Sequence, residues 1–96
     1  MPNSSKTWTV DELKSMHNLS FKNEQSIRAS EFCGCFYCQG IYPSTDIVTV
    51  DMIEEKDGKL TTICPICSID AVLGDASVEL TAEMLEAMNH YFFQTY

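Results

Sequence analysis

Cys33-Gly34-Cys35-Phe36-Tyr37-Cys38, answered further along by Cys64-Pro65-Ile66-Cys67, is the stretch that decides the fold. Each half carries a Cys-x-x-Cys pair, Cys35/Cys38 and Cys64/Cys67. Four thiolates about 2.3 Å from one cation make a closed tetrahedral zinc site. The predicted fold is therefore α+β: a small zinc-ribbon-like arrangement of two knuckles and a β-hairpin with flanking helices. One structural Zn2+ is expected on Cys35, Cys38, Cys64 and Cys67. A rubredoxin-like iron site uses the same paired motif and stays open as the alternative metal; the lack of a redox partner motif favours zinc.

The chain has 96 residues and reads as a single domain over residues 1–96. A domain this small buries roughly 60–70% of its unfolded surface, so a metal staple adds substantial stability. A hydrophobic fraction of 45% argues against wholesale disorder. The cysteine count of 5 is odd, which disfavours a fully paired secreted scaffold. The opening residues contain no apolar signal core, and no run approaches the ~18 apolar residues of a membrane span. A reducing, cytoplasmic setting is expected.

The formal charge is −8 with neutral thiols; four thiolates and one Zn2+ bring it to about −10. Only 6 Lys and Arg are present, scattered at Lys6, Lys14, Lys22, Arg28, Lys56 and Lys59. Binding a nucleic-acid polyanion needs a basic patch, so direct nucleic-acid binding is not expected. Such a surface suits basic protein partners, or serves solubility alone.

Outward from the first knuckle, Gln39-Gly40 reads as its tight turn, with backbone N–H groups aimed at the sulfurs. Ile41-Tyr42-Pro43 leads away, and Ser44 is expected to cap one helical turn, Thr45 to Ile47. Val48, Val50 and Met52 alternate as in a strand. Lys56-Asp57-Gly58-Lys59 is a hairpin turn, and Leu60 to Ile63 returns straight into Cys64. Ser68 to Leu73 is expected to form a helical turn ended by Gly74-Asp75. Upstream, Met1 to Thr7 reads as a frayed terminus. Thr9 and Glu12 form a capping box for a helix to about His17, with Leu13, Met16 and Val10 on one side and Trp8 stapled to the core. Asn23 caps a second short helix, Glu24 to about Ser30. Thr81 caps the strongest helix, Ala82 to Phe93, whose apolar stripe is Leu80, Met84, Leu85, Met88, Tyr91 and Phe92.

Other chemistry is weaker. Cys33 is surplus: a buried thiol first, a replacement for Cys35 or a reactive thiol otherwise. A thioredoxin-like Cys-x-x-Cys needs a βαβ unit that this chain does not supply, although a metal-released redox switch stays open. Zinc-flanked ββα nucleases place a histidine between their knuckles; here only His17 and His90 exist, both outside that interval. They read as structural or solvated. Asp70 and Asp75 flank Gly74 and read as turn or cap residues before acid–base catalysts.

Cys33-Gly-Cys-Phe-Tyr-Cys38, Cys64-Pro-Ile-Cys-Ser-Ile-Asp-Ala-Val-Leu-Gly74 and Met84-Leu-x-x-Met-x-x-Tyr91-Phe-Phe93 together resemble a family of small bacterial proteins described only as "cytoplasmic protein". The family pattern is CGCFYC, then CPxCGIDSVIG, then a C-terminal helix ending in an aromatic cluster. The likeness spans roughly Asn23 to Phe93. Here Ser68 stands where the family has Gly, Ala71 where it has Ser, and Phe92 where it has Trp. The segment before Leu60 is longer and lacks a Trp. The resemblance implies a cytoplasmic zinc-binding protein and no particular reaction.

The leading functional expectation is a non-enzymatic protein-interaction module, with a contact patch formed by Phe93 and the aromatic tail to Tyr96. One alternative is an inhibitor or nucleic-acid mimic of mobile-element (phage) origin, acting on a nucleic-acid enzyme. Another is a redox or hydrolytic enzyme using Cys33 or Asp70.

Overall fold

Three short helices and two small antiparallel sheets make up the chain in the computed structural model, which describes residues 7–48 and 51–94. The expected frayed terminus up to residue 6, Val50 of the expected strand and Tyr96 of the aromatic tail lie outside the described residues. The architecture is α+β as predicted. In order come α1 (Val10–Asn18), α2 (Glu24–Ala29), β1 (Phe32–Cys35), β2 (Ile41–Pro43), β3 (Met52–Glu54), β4 (Leu60–Thr62), β5 (Val72–Gly74) and α3 (Ala82–Asn89).

Helix α1 starts where its capping box places it. Thr9 Oγ1 accepts from Glu12 N at 3.1 Å, and Glu12 Oε1 accepts from Thr9 N at 2.9 Å. Two otherwise unpaired N–H groups are thereby satisfied, worth about 1 kcal/mol. Leu13 is buried and Met16 half-buried, whereas Val10 lies outside the core. Helix α3 is capped by Thr81, whose hydroxyl accepts from Met84 N at 3.1 Å. It buries Met84, Leu85 and Met88. Its expected end at Phe93 is corrected: α-helical geometry stops at Asn89, and His90–Gln94 winds on as a wider π-helical turn. That turn carries Phe92 and Phe93 onto Phe36, with ring centroids 5.9 and 5.8 Å away.

The first sheet has the order β2-β1-β5. Cys33 pairs with Tyr42 on one side and Gly74 on the other. Helix α3 lies against this sheet at Gly34, where an added Cβ would come within 2.8 Å of a Leu85 methyl. The expected helical turn over Ser68 to Leu73 is overturned. Val72 to Gly74 is a fully buried strand, and Phe36 N extends the pairing by donating to Ala71 O at 2.9 Å. An apolar run buried on both sides gains more from pairing with β1 than from one isolated helical turn.

The second sheet is the β3–β4 hairpin, with Ile53 opposite Thr61. Its turn is the predicted Asp-Gly corner: Gly58 sits at φ 85°, and Lys59 N donates to Asp57 Oδ1 at 3.1 Å. The turn expected after Ser44 is a single 3-10 turn, Ser44–Asp46. Ser44 does not cap it; its hydroxyl donates to Ser30 O at 2.5 Å.

Asn23 joins the two sheets. It precedes α2 as predicted but makes no side-chain cap. Its Nδ2 instead donates to Val72 O of β5 at 2.8 Å, and its Oδ1 accepts from Thr62 N of β4 at 3.1 Å. Asn23 is buried, so both bonds form away from water.

Candidate metal centre

The two knuckles are one object built twice. In the first, Cys35 O accepts from Gln39 N at 2.7 Å and Cys35 N donates to Gly40 O at 3.0 Å. In the second, Cys64 O accepts from Ser68 N at 2.9 Å and Cys64 N donates to Ile69 O at 2.9 Å. The residue two places after the leading cysteine donates its N–H to that sulfur in both: Tyr37 to Cys35 at 3.3 Å, Ile66 to Cys64 at 3.4 Å. The residue after each second cysteine is left-handed, Gln39 at φ 63° and Ser68 at φ 67°.

Gly40 therefore has a different job from the expected one. Gln39 makes the left-handed bend, and Gly40 lets the knuckles approach. A Cβ there would lie 3.1 Å from Ile66 Cδ1 and 3.5 Å from Cys38 Sγ. Hairpins deliver both knuckles. The first is the bend between β1 and β2, and the second follows directly from β4.

The sulfurs of Cys35, Cys38, Cys64 and Cys67 all lie within 4.8 Å of one another. Cys35 and Cys67 are 3.6 Å apart, and Cys38 and Cys64 are 3.8 Å apart. A tetrahedron with metal–sulfur bonds of about 2.3 Å has edges of about 3.8 Å. A disulfide would need about 2.05 Å, and all the cysteines are free. The donor set and spacing thus fit a metal ion held by four thiolates. Cys35 and Cys64 are buried, Cys67 is half-buried and Cys38 is exposed.

Charge explains why a cation belongs there. Burial pushes the Cys35 thiol well up, against the N–H groups of Cys38 and Tyr37, and burial also raises Cys67. Burial acts on Cys64 too, but the Tyr42 hydroxyl and the N–H groups of Cys67 and Ile66 outweigh it and hold Cys64 at about 7. Cys64 thus ionises readily, whereas burial above all holds Cys35 and Cys67 in the neutral form. A dication at the centre reverses that penalty.

Tyr42 is the functional residue that the sequence reading missed. Its hydroxyl donates to Cys64 Sγ at 3.3 Å, and both groups are buried. Burial, then the contact with Cys64, pushes its phenol far up, so it stays a donor. The two residues are 22 apart in sequence, and only the β1–β2 pairing aims the ring at the sulfur. Asn89 supports the first knuckle similarly, its Nδ2 donating to Tyr37 O at 2.7 Å.

The remaining candidates separate. Cys33 lies outside the sulfur cluster, fully buried on β1. Burial, then the charge of Asp75, pushes its thiol up to about 11. Asp75 is a structural acceptor, taking the N–H of Glu31 at 2.9 Å and of Phe32 at 3.3 Å. Asp70 is exposed beyond the second knuckle. His17 packs its ring against Phe92 at 4.5 Å, and His90 is exposed. Phe93 stacks edge-on against Tyr37 at 4.8 Å while keeping 37% of its surface exposed. Among the described residues, no helix is long and apolar enough to cross a membrane.

In comparisons with known proteins, no family model matches the chain, and no match is found among the curated proteins or the solved structures.

Proposed function

We propose that this chain is a small, acidic, cytoplasmic zinc protein, its one Zn2+ structural and held by Cys35, Cys38, Cys64 and Cys67, and that it acts as a non-enzymatic protein-interaction module. The observation that carries the metal reading is the sulfur group itself, with edges of 3.6 and 3.8 Å delivered by two matching knuckles. When bound, the ion supplies charge compensation and cross-linking. Its four protein ligands close the coordination shell, leaving no open position for a substrate. The reducing setting is supported by free thiols at a spacing that suits a metal. The Cys33–Cys38 hexapeptide and the Cys64–Gly74 run support kinship with the small bacterial family named above.

The interaction reading is supported by apolar side chains exposed beside the metal. Ile66 is 66% exposed and Tyr37 45%, one on each knuckle, with Phe93 stacked on Tyr37. The enzyme reading has less behind it, since Cys33 is buried and protonated and Asp70 is exposed outside any described hollow.

Elemental analysis of protein purified without added metal tests the zinc reading. The expected result is about one zinc per chain, lost on Cys35→Ser and Cys64→Ser and retained on Cys33→Ser. Iron at that stoichiometry replaces zinc by a rubredoxin-like centre, and metal-free folded protein removes the proposal. Affinity capture with the intact chain and with Ile66→Ala tests the interaction reading; an identical set of captured proteins rules out the knuckle patch.

A further inference from the structure

The four clustered cysteines are not equally open to water. Cys35 and Cys64 are buried, Cys67 is half-buried and Cys38 is exposed. Glycine at position 40 leaves the approach to Cys38 open, because an added Cβ there would lie 3.5 Å from its Sγ. Behind Cys38 stands a sulfur of the other knuckle, Cys64 Sγ, at 3.8 Å. A sulfur that ligates a metal is a thiolate, and the thiolate is the nucleophilic form of cysteine. An accessible thiolate with a second thiol poised beside it is the arrangement on which oxidants act. Cys33 supplies the contrast, fully buried on β1 and outside the cluster.

We propose, resting on the zinc reading above, that Cys38 is an oxidation site for hydrogen peroxide, that Cys64 resolves it, and that the resulting Cys38–Cys64 disulfide regulates the centre by releasing its metal. In the first step a lone pair of the Cys38 thiolate attacks one peroxide oxygen. An S–O bond forms, the O–O bond breaks, and hydroxide leaves Cys38 as the sulfenic acid. In the second step the Cys64 thiolate attacks the Cys38 sulfur. The S–S bond forms, the S–O bond breaks, and a second hydroxide leaves. The two sulfurs give up the electron pair that the peroxide takes. Reaching disulfide length requires the Cys38–Cys64 gap to close by about 1.8 Å. Cys35 and Cys67 are then half of the four-ligand shell that a structural zinc requires, so the ion departs.

Zinc-loaded full-length protein, its metal content first checked by elemental analysis, is titrated with hydrogen peroxide. A chromophoric chelator reads the released zinc. Peptide mass mapping, after free thiols are trapped with N-ethylmaleimide, locates the bridge. The expected result is about one zinc released per peroxide consumed, a Cys38–Cys64 bridge, and Cys33 still trapped as a free thiol. Dithiothreitol with added zinc restores the metal-bound form. Cys38→His keeps four ligands for the ion without the exposed thiol, and its zinc release is expected to be about tenfold slower.

Zinc retained under a large excess of peroxide overturns the proposal and leaves the zinc reading standing. So does a first bridge other than Cys38–Cys64, and so does release from Cys38→His as fast as from the natural chain. Where that variant fails to hold zinc, the mapped bridge decides. Folded protein that carries no metal removes both readings.

Discussion

Tyr42 shows how one hydroxyl can tune a metal centre. Its O–H donates to Cys64 Sγ, the sulfur that also receives the N–H of Ile66. Tyr42→Phe keeps the ring and deletes only that donor. Loss of such a supporting bond typically costs 10–100-fold in metal affinity, so about tenfold weaker zinc binding is expected with the fold retained. Competition against a chromophoric chelator measures it. Gln39 and Ser68 offer the opposite effect. Both hold a left-handed backbone without being glycine. Ser68→Gly and Gln39→Gly are each expected to stabilise the protein by about 0.5–1 kcal/mol, read as a higher midpoint in denaturant melts. Cys33 gives a pH signature. Its thiol is raised to about 11 in the fold, so the neutral form is favoured there. That stability is fully present below the ordinary thiol pKa and is lost as pH rises through about 11. Urea melts between about pH 8 and about pH 11 are therefore expected to fall about 2 kcal/mol less in Cys33→Ala than in the natural chain. Among residues, the four clustered cysteines were legible because knuckle spacing is local. Tyr42 was not, because its sulfur contact arises only after strands pair.

Helices and strands were legible to different degrees for a physical reason. Capping is written within a few residues, so Thr9 with Glu12 and Thr81 announce the starts of α1 and α3, and Asp57-Gly58 announces the β3–β4 turn. The three strands of the first sheet carry no comparable mark. They span three or four residues each, and β1 and β5 are buried without the alternation of a half-exposed strand. The length of α3 was overread because its apolar stripe continues through the π-helical turn, where Phe92 and Phe93 pack on Phe36. Asn23 illustrates a residue whose local cue was partly misleading. It stands at the start of α2, but its side chain spans β4 and β5. Asn23→Ala strands the buried Thr62 N–H and the Val72 carbonyl together. A loss of about 3 kcal/mol is expected in equilibrium unfolding, well beyond the ~1 kcal/mol of a lost cap.

Among the described residues, the two small sheets are joined through α2 and the Asn23 side chain. Its radius of gyration, 13.1 Å, is near the ~13 Å of a well-packed chain of this size. Packing is therefore ordinary, yet among the described residues no strand exceeds 4 residues. The sulfur group draws the knuckle of the first sheet against the knuckle that follows β4. Structural zinc contributes an apparent ~10–16 kcal/mol in small domains, comparable with the ~5–15 kcal/mol of total stability usual for a folded domain. Removal of the ion is accordingly expected to abolish the cooperative thermal transition. In hydrogen exchange after addition of a strong chelator, β3–β4 amides should lose protection before those of β1, which α3 covers at Gly34. Equal protection with and without chelator contradicts that order.

The separation of the knuckles also matters while the chain is being made. Cys38 precedes its sulfur neighbour Cys64 by 26 residues, and Cys35 precedes Cys67 by 32. A polypeptide emerging from the ribosome exposes the first thiol pair before the second. During that interval it offers a two-coordinate, exchangeable ligand set to whatever thiophilic ion is at hand. An ion taken up in that interval would be enclosed by all four sulfurs only after the last cysteine clears the exit tunnel.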